Sequence, residues 1–398
     1  MSPIKHTTLD KQLAQIPTEV RFCTKCVVSN QRPRITFDEN GVCSACQYAH
    51  LKYNVIDWDQ REQELLKLLD KYRSKDGSYD VVVPGSGGKD SAYTSHILKE
   101  KYGMHPLSVT WAPFKYTDIG WQNFTNFVQA GFDTLTFFQG GAMHRKLAKI
   151  AFELKGDAWE PFAFGQKAYA FHIALKFKIP LIFFGENGEI EYGGSMKNIN
   201  KPYESVEDWD ELYFKGAGLD VLLKYGIDKG WLTADEVKNT DFSLYLPPPL
   251  KDIAKLGAQM HWLSYYRKWI PQENYYYAAE HTGFQANPEG RSEGTYSKYA
   301  SLDDKTDGFH FYLAFIKFGI GRATSDAAHE VRDGHLTREE AVSLVHRYDG
   351  EFPQKHFQEF LEYLDISEDH FWEVVDRYRQ PHLWTKKNGK WVLKHRVQ

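Results

Sequence analysis

The chain has 398 residues, 42% hydrophobic, 26% charged and 15% aromatic, the make-up of a globular protein long enough for two or three domains. A formal net charge of −4 argues against a broad electrostatic grip on nucleic acid, and no run approaches the roughly 18 apolar residues of a membrane span. The first twenty residues are polar and mixed in charge, unlike a secretory signal, so a cytoplasmic protein is expected.

In chain order, residues 1–20 read as a polar arm and 21–56 as a module that holds all four cysteines. Cys23-x-x-Cys26 and Cys43-x-x-Cys46, separated by sixteen residues, have the spacing of two knuckles that close a tetrahedral thiolate site. Structural Zn2+ is the default for this pattern, with an iron–sulfur cluster or redox-active pairs as rival readings. Such a site binds metal for folding or docking and not for catalysis. If all four cysteines are engaged, none remains to hydrolyse glutamine, and position 2 is Ser2. Any glutamine-derived ammonia would then come from a separate subunit.

Residues 57–270 read as the central domain. Positions 57–73 form an amphipathic helix with Leu65, Leu66, Leu68, Leu69 and Tyr72 on its apolar side. Residues 79–84 are a short buried strand, followed by a glycine loop at 85–91 and a helix over 90–102. Strands are expected at 106–111, 134–138 and 180–185, with 259–265 as one more candidate, and helices at 121–130, 143–154 and 166–177. This alternation implies an α/β fold with a doubly wound parallel sheet. Ligands in such sheets sit beyond the carboxyl ends of the strands, which singles out 85–91, 110–118, 139–144, 185–194 and 265–269.

Pro247-Pro248-Pro249 reads as a stiff break between the central domain and the C-terminal part of the chain. Residues 271–398 read as mostly helical. Thr337 and Glu340 make a capping box for a helix over 337–347, and Asn388-Gly389 marks a hairpin within 384–393.

The loop Ser86-Gly87-Gly88-Lys89-Asp90-Ser91, between a strand and a helix, presents backbone N–H groups at a helix N-terminus, a favourable seat for phosphate. The glycines allow close approach, Lys89 adds charge, Ser86 and Ser91 add hydroxyls, and Asp90 suits Mg2+. The Walker spacing is absent. The bland alternative is an ordinary glycine-rich turn.

This string resembles the PP-loop of the ATP pyrophosphatase superfamily, an adenine-nucleotide α-hydrolase-like (HUP-like) fold. The resemblance implies that the loop holds the β- and γ-phosphates of ATP while a substrate oxygen attacks the α-phosphorus. Other segments resemble the N-acetyl sugar amidotransferase family over roughly residues 21–393. They are the cysteine module, Phe164-Gly165-Gln166-Lys167, Phe184-Gly185-Glu186-Asn187-Gly188-Glu189, Glu191-Tyr192-Gly193-Gly194, Lys317-Phe318-Gly319-Ile320-Gly321-Arg322-Ala323-Thr324, Asp326 and the 336–341 helix start. That resemblance implies conversion of an acetamido group on a bacterial surface sugar, free or nucleotide-linked, to an acetamidino group. It serves lipopolysaccharide O-antigen or flagellin glycan pathways, with a glutaminase and a cyclase-like partner.

Within that scheme Lys89, Asp90, Glu186 and Arg322 are the catalytic candidates, and Ser86 to Ser91 hold ATP. Thr110 and Trp111 are candidates to border the adenine, unless Trp111 only packs the sheet edge. Glu186, Asn187, Glu191 and Tyr192 follow a strand end, where they could bind Mg2+, sugar hydroxyls or ammonium; a solvated acidic loop is the alternative. Arg322 could clamp a phosphate, with Asp326 and His329 on the same helical face, or the three form a surface salt-bridge network. His144, His172, His261 and His310 lack metal spacing and read as packing or surface residues, and the aromatic run Tyr265-Tyr266-Arg267-Lys268-Trp269 as core, with stacking on a sugar or nucleotide as the alternative. Two other functions compete: a PP-loop enzyme that modifies tRNA, and a non-catalytic nucleotide-binding scaffold.

Overall fold

Short apolar runs bounded by turn residues pair into one sheet. The computed structural model describes residues 10–209 and 218–398. Its strands are β1 (Val81–Pro84), β2 (Pro106–Trp111), β3 (Thr134–Phe137), β4 (Leu181–Phe184), β5 (Tyr203–Glu204) and β6 (Gln259–Trp262), in spatial order β3-β2-β1-β4-β6-β5. All neighbours are parallel except β5, which runs antiparallel along β6 at the edge. Val82 of β1 sits beside Leu107 on one side and Ile182 on the other. Both faces of the central strands are covered, so β1 and β4 read as unbroken apolar runs, and β2 buries Ser108 and Thr110 along with its apolar residues. The strand order reverses between β1 and β4, which opens a crevice between the loops at their carboxyl ends. The fold is the doubly wound α/β sheet that the alternation implied.

Asp57 caps the helix Trp58–Tyr72, accepting from the Gln60 amide at 2.9 Å, and Leu65 and Leu69 are fully buried against β1 residues Val81 and Val83. On the other face the helix Glu160–Phe177 starts with Pro161 in its first turn and buries Phe164, Ala168 and Phe171. The helix after the glycine loop, Lys89–His96, winds on as a π-helical turn over Ile97–Lys101.

Two expectations need correction. Pro247–Pro249 does not separate the sheet from the C-terminal part of the chain, because helix Leu250–Leu256 and then β6, an internal strand, come after it. The strand expected over 259–265 stops at Trp262, where the chain turns into Leu263–Tyr266 and carries Trp269 into the core. The helices Leu219–Asp228 and Ala234–Lys238 and the edge strand β5 add to the expected elements.

Beyond helix Pro271–His281, which packs on Lys89–His96 through Ala278 and Ala92, the chain is mostly helical. Helices Asp307–Phe318, Arg322–Arg332, Arg338–Tyr348, Phe357–Leu364 and Glu368–Arg377 precede a hairpin of β7 (Trp384–Lys387) and β8 (Lys390–Leu393). The Thr337/Glu340 capping box is formed. Asn388 (φ 51°) and Gly389 (φ 77°) supply the two left-handed residues of a tight hairpin turn. Phe309 stacks on Phe360 with centroids 4.1 Å apart in a core that also takes in Cys23, Cys26, Val27, Val28 and Cys43. The cysteine module is therefore built onto the C-terminal helices. Among the described residues, no helix is long and apolar enough to cross a membrane.

Candidate active site and cysteine cluster

β1 delivers the chain to Gly85, and Gly88 is the N-cap of the helix Lys89–His96. The first helical hydrogen bond runs from the Ala92 amide to the Gly88 carbonyl at 3.0 Å, so the amides of Lys89, Asp90 and Ser91 precede it at a helix N-terminus. Two glycines are sterically required. A Cβ on Gly85 would fall 2.1 Å from the Ser91 Cβ, and one on Gly87, at φ +81°, would fall 2.7 Å from the Phe124 Cα. Lys89 pairs with Asp90 at 2.5 Å and lies 5.8 Å from the Tyr299 ring centroid. Asn274 donates to Asp90 at 3.3 Å, and the Ser86 hydroxyl donates to Asp303 at 2.6 Å.

The loop faces a cleft of about 600 Å³ at the carboxyl ends of β1, β2, β4 and β6. Trp111, Phe184 and Trp262 line it from strand ends, Phe162 and Gln166 from helix Glu160–Phe177, and Tyr299 to Asp304 with Arg322 from the C-terminal side. Glu186, just after β4, accepts from the Trp269 indole at 3.1 Å. Burial, with the charge of Asp90 beside it, pushes the Glu186 carboxyl up to about 7. Arg322 is braced by Asp326 at 3.0 Å and by the Phe311 ring at 4.5 Å.

Of the residues singled out in the sequence, Ser86, Gly88, Lys89, Asp90, Ser91, Trp111, Glu186, Tyr192 and Arg322 line this cleft. Gly87 lies beneath the loop against Phe124. Thr110 is buried in the sheet and its hydroxyl donates to the Gly85 carbonyl, so it shapes the loop from below. Asn187 caps the short helix Gly188–Tyr192, accepting from the Glu189 and Ile190 amides at 3.2 and 3.4 Å. Glu191 turns away to Lys52 at 3.3 Å, and Asp326 accepts from Thr295 at 2.6 Å. His144 and His261 are buried on Tyr245 and Tyr266 hydroxyls, and burial pushes them down to about 3 and about 4. His172 contacts the Leu246 carbonyl, and His310 pairs with Asp157 at 3.0 Å.

Sequence reasoning passes over Arg32, Tyr299, Asp303, Asp304 and Asp307, all of which line the cleft. The available signal is an Asp303-Asp304-x-x-Asp307 run ahead of a helix. Lys167 stands out in the sequence only as the end of the Phe164–Lys167 motif. It is buried, with its ammonium 4.3 Å from the Phe184 ring and 4.7 Å from the Trp262 ring, and burial lowers its pKa.

The four cysteine sulfurs lie within 4.8 Å of one another, with Cys23–Cys46 at 3.8 Å and Cys26–Cys43 at 3.7 Å. A tetrahedral ion with 2.3 Å bonds to sulfur gives an edge of about 3.8 Å, so the set fits one four-coordinate metal. A multi-iron cluster interposes its own atoms and holds cysteine sulfurs further apart. The Lys25, Cys26 and Cys43 amides converge on the Cys23 sulfur at 3.3–3.5 Å, as expected around a thiolate ligand. Two contacts tie the module, and one the helix Arg322–Arg332, to the loop after β4. Arg34 grips Glu189 with two hydrogen bonds, Lys52 reaches Glu191 and Asp333, and Arg332 donates to the Glu191 carbonyl at 2.9 Å.

A family model described as LPS biosynthesis protein WbpG-like, C-terminal domain, matches residues 293–398. The uncharacterized protein MJ1599 of Methanocaldococcus jannaschii is 31% identical over 88 residues, 22% of this chain. The matched segment spans 31% of that relative's length. A solved structure, the U34-tRNA thiolase NcsA from Methanococcus maripaludis with its 4Fe-4S cluster, aligns over 70% of this chain and 79% of that one. Its TM-score of 0.27 and identity of 11% are too low to bear on fold or reaction.

Proposed function

We propose that the protein is an ATP-dependent synthetase that turns an acetamido group on a surface-polysaccharide sugar into an acetamidino group. The observation that carries this reading is the Ser86–Ser91 loop, set at the sheet's switch point and facing a cleft with Glu186 and Arg322 on its other walls. The WbpG-like C-terminal match supports a place in lipopolysaccharide assembly.

An amide oxygen is a poor leaving group. In the proposed reaction it attacks the α-phosphorus of ATP, an O–P bond forms and pyrophosphate departs. Ammonia then attacks the amide carbon, the C–O bond breaks, and AMP leaves with the former amide oxygen. The amides at the start of helix Lys89–His96, with Lys89 and the loop hydroxyls, hold the phosphates. Asp90 is the ligand for Mg2+, which neutralises phosphate charge when bound. Glu186, poised near neutrality, takes the proton that ammonium must lose before its nitrogen becomes a nucleophile. Trp111 and Trp262 offer flat apolar walls to adenine or sugar, and Arg322 fits a sugar-linked phosphate. The four thiolates hold structural Zn2+, which leaves ammonia to be delivered by a glutaminase subunit, with a cyclase-like subunit as its companion.

The test is to incubate the protein with ATP, ammonium and a panel of acetamido sugars and to read products by mass. A sugar in which NH replaces oxygen, formed with AMP and pyrophosphate, supports the proposal. ADP in place of AMP would move the attack to the γ-phosphorus.

A further inference from the structure

We propose that Asp303 and Asp307 hold a divalent cation of the magnesium class against the phosphates in the cleft, at a site separate from Asp90. The inference rests on the nucleotide reading of that cleft. Three carboxylates crowd within five residues of chain there, but they are not equivalent. Asp304 is spent on local structure: one oxygen accepts from the Thr306 amide and hydroxyl at 2.8 and 2.9 Å, the other from the Phe114 amide at 2.6 Å. Asp303 gives one oxygen to the Ser86 hydroxyl. Asp307, the first residue of its helix, is 6% exposed, and its Oδ1 is buried without a hydrogen-bond partner although the residue lines the cleft.

A buried carboxylate oxygen with no donor is rare and calls for a ligand. The surroundings specify its charge. Ser86 belongs to the loop that seats phosphate, so Asp303 stands beside a second anion, and two anions sharing one wall repel unless a cation lies between them. Arg322 lines the same cleft and its charge acts on Asp307, but it gives the buried Asp307 Oδ1 no hydrogen bond, and Asp326 and the Phe311 ring hold its guanidinium. The donor atoms are hard oxygens. Mg2+ binds through one or two carboxylates plus substrate phosphates and water, so Asp303 and Asp307 suffice without a complete protein cage.

The segment is also held firmly enough to present ligands. The Thr117 amide donates to the Asp303 carbonyl at 3.2 Å, the Thr117 hydroxyl to the Leu302 carbonyl, and Tyr116 and Asp304 form a β-bridge. A Cβ on Gly120 would fall 2.4 Å from the Asp303 Cα, so helix Asp118–Gln129 abuts the carboxylate backbone directly.

The experiment titrates the full chain with Mn2+, following free ion by electron paramagnetic resonance, in the presence of saturating α,β-methylene ATP. Asp303→Asn and Asp307→Asn are expected to bind one Mn2+ fewer than wild type, or to bind it roughly tenfold or more weakly, while still binding the analogue. Asp307→Asn should also be at least as heat-stable as wild type without metal, since an amide replaces an unpartnered carboxylate, which separates ion loss from misfolding. Equal Mn2+ stoichiometry and affinity in wild type and both variants would overturn the site. Failure of wild type to bind the analogue at all would overturn the nucleotide reading and the site with it.

Discussion

Ser86 and Asp303 are 217 positions apart in the sequence, and the hydroxyl of one donates to the carboxylate of the other at 2.6 Å. The contact joins the glycine loop to the segment that matches the WbpG-like model, and both line the cleft. The consequences are testable at the loop, at the Lys52 anchor, at the buried histidines and at Glu186.

Lys89→Ala removes the one cation within the phosphate loop and leaves the cysteine module untouched. Pyrophosphate release should fall by about 10²–10³-fold, the scale for losing a charge-stabilising group. Metal content per chain should stay at the wild-type value. Wild-type turnover in this variant would contradict the loop assignment.

Lys52 is 2% exposed and joins Glu191, Asp333 and the Trp269 carbonyl, at 3.3, 3.0 and 2.9 Å. Lys52→Met keeps the bulk and leaves Glu191 and Asp333 with His329, at 3.5 and 3.0 Å, as their remaining cation, so unfolding in urea should lose at most the about 3–5 kcal/mol of a broken buried pair. The loop bearing Glu186 should loosen with it, read as faster amide exchange over residues 186–192. A loss below about 1 kcal/mol would mean that His329 and the Tyr53 hydroxyl suffice to hold the two carboxylates.

His144 and His261 are both buried and neutral, held down at about 3 and about 4. A histidine so depressed gains its proton first in the unfolded chain, so stability is complete above the ordinary value near 6.5 and declines as pH falls below it. The decline should approach about 1.4 kcal/mol per pH unit for each residue. His144→Gln should flatten the acid side of the stability profile by one such increment, whatever it does at neutral pH. An unchanged slope would mean that His144 is protonated in the fold.

Glu186 is pushed up to about 7 by burial and by Asp90. If its carboxylate accepts the proton of ammonium, turnover with ammonium should rise through that pH as the group ionises. Glu186→Gln keeps an acceptor for the Trp269 indole and should lower the rate and erase the inflection. A retained inflection would assign it to another group.

Much of the fold is legible locally. β1 and β4 lie within the expected 79–84 and 180–185 because short unbroken apolar runs match strands buried on both faces. The glycine loop between a strand and a helix, the Thr337/Glu340 box and the Asn388-Gly389 turn are legible because each is a short-range geometric requirement. Side-chain direction is not. Glu191 follows β4 as a site residue should, but its carboxylate faces Lys52 from the cysteine module. Asp303 and Asp307 are passed over in the sequence, and only folding brings Asp303 to Ser86 and Asp307 to the same cleft. Pro247–Pro249 looks like a boundary because stiffness is local, whereas the return of the chain to place β6 inside the sheet is not.

The central claim is that an amide oxygen attacks the α-phosphorus in the cleft beside Ser86. Turnover of an acetamido sugar carrying a heavy-oxygen label in its amide carbonyl, with ammonium and ATP, tests this directly. The account predicts that the label appears in AMP, with pyrophosphate unlabelled. Label in inorganic phosphate, or an acetamidino product formed with no label in AMP, would contradict it.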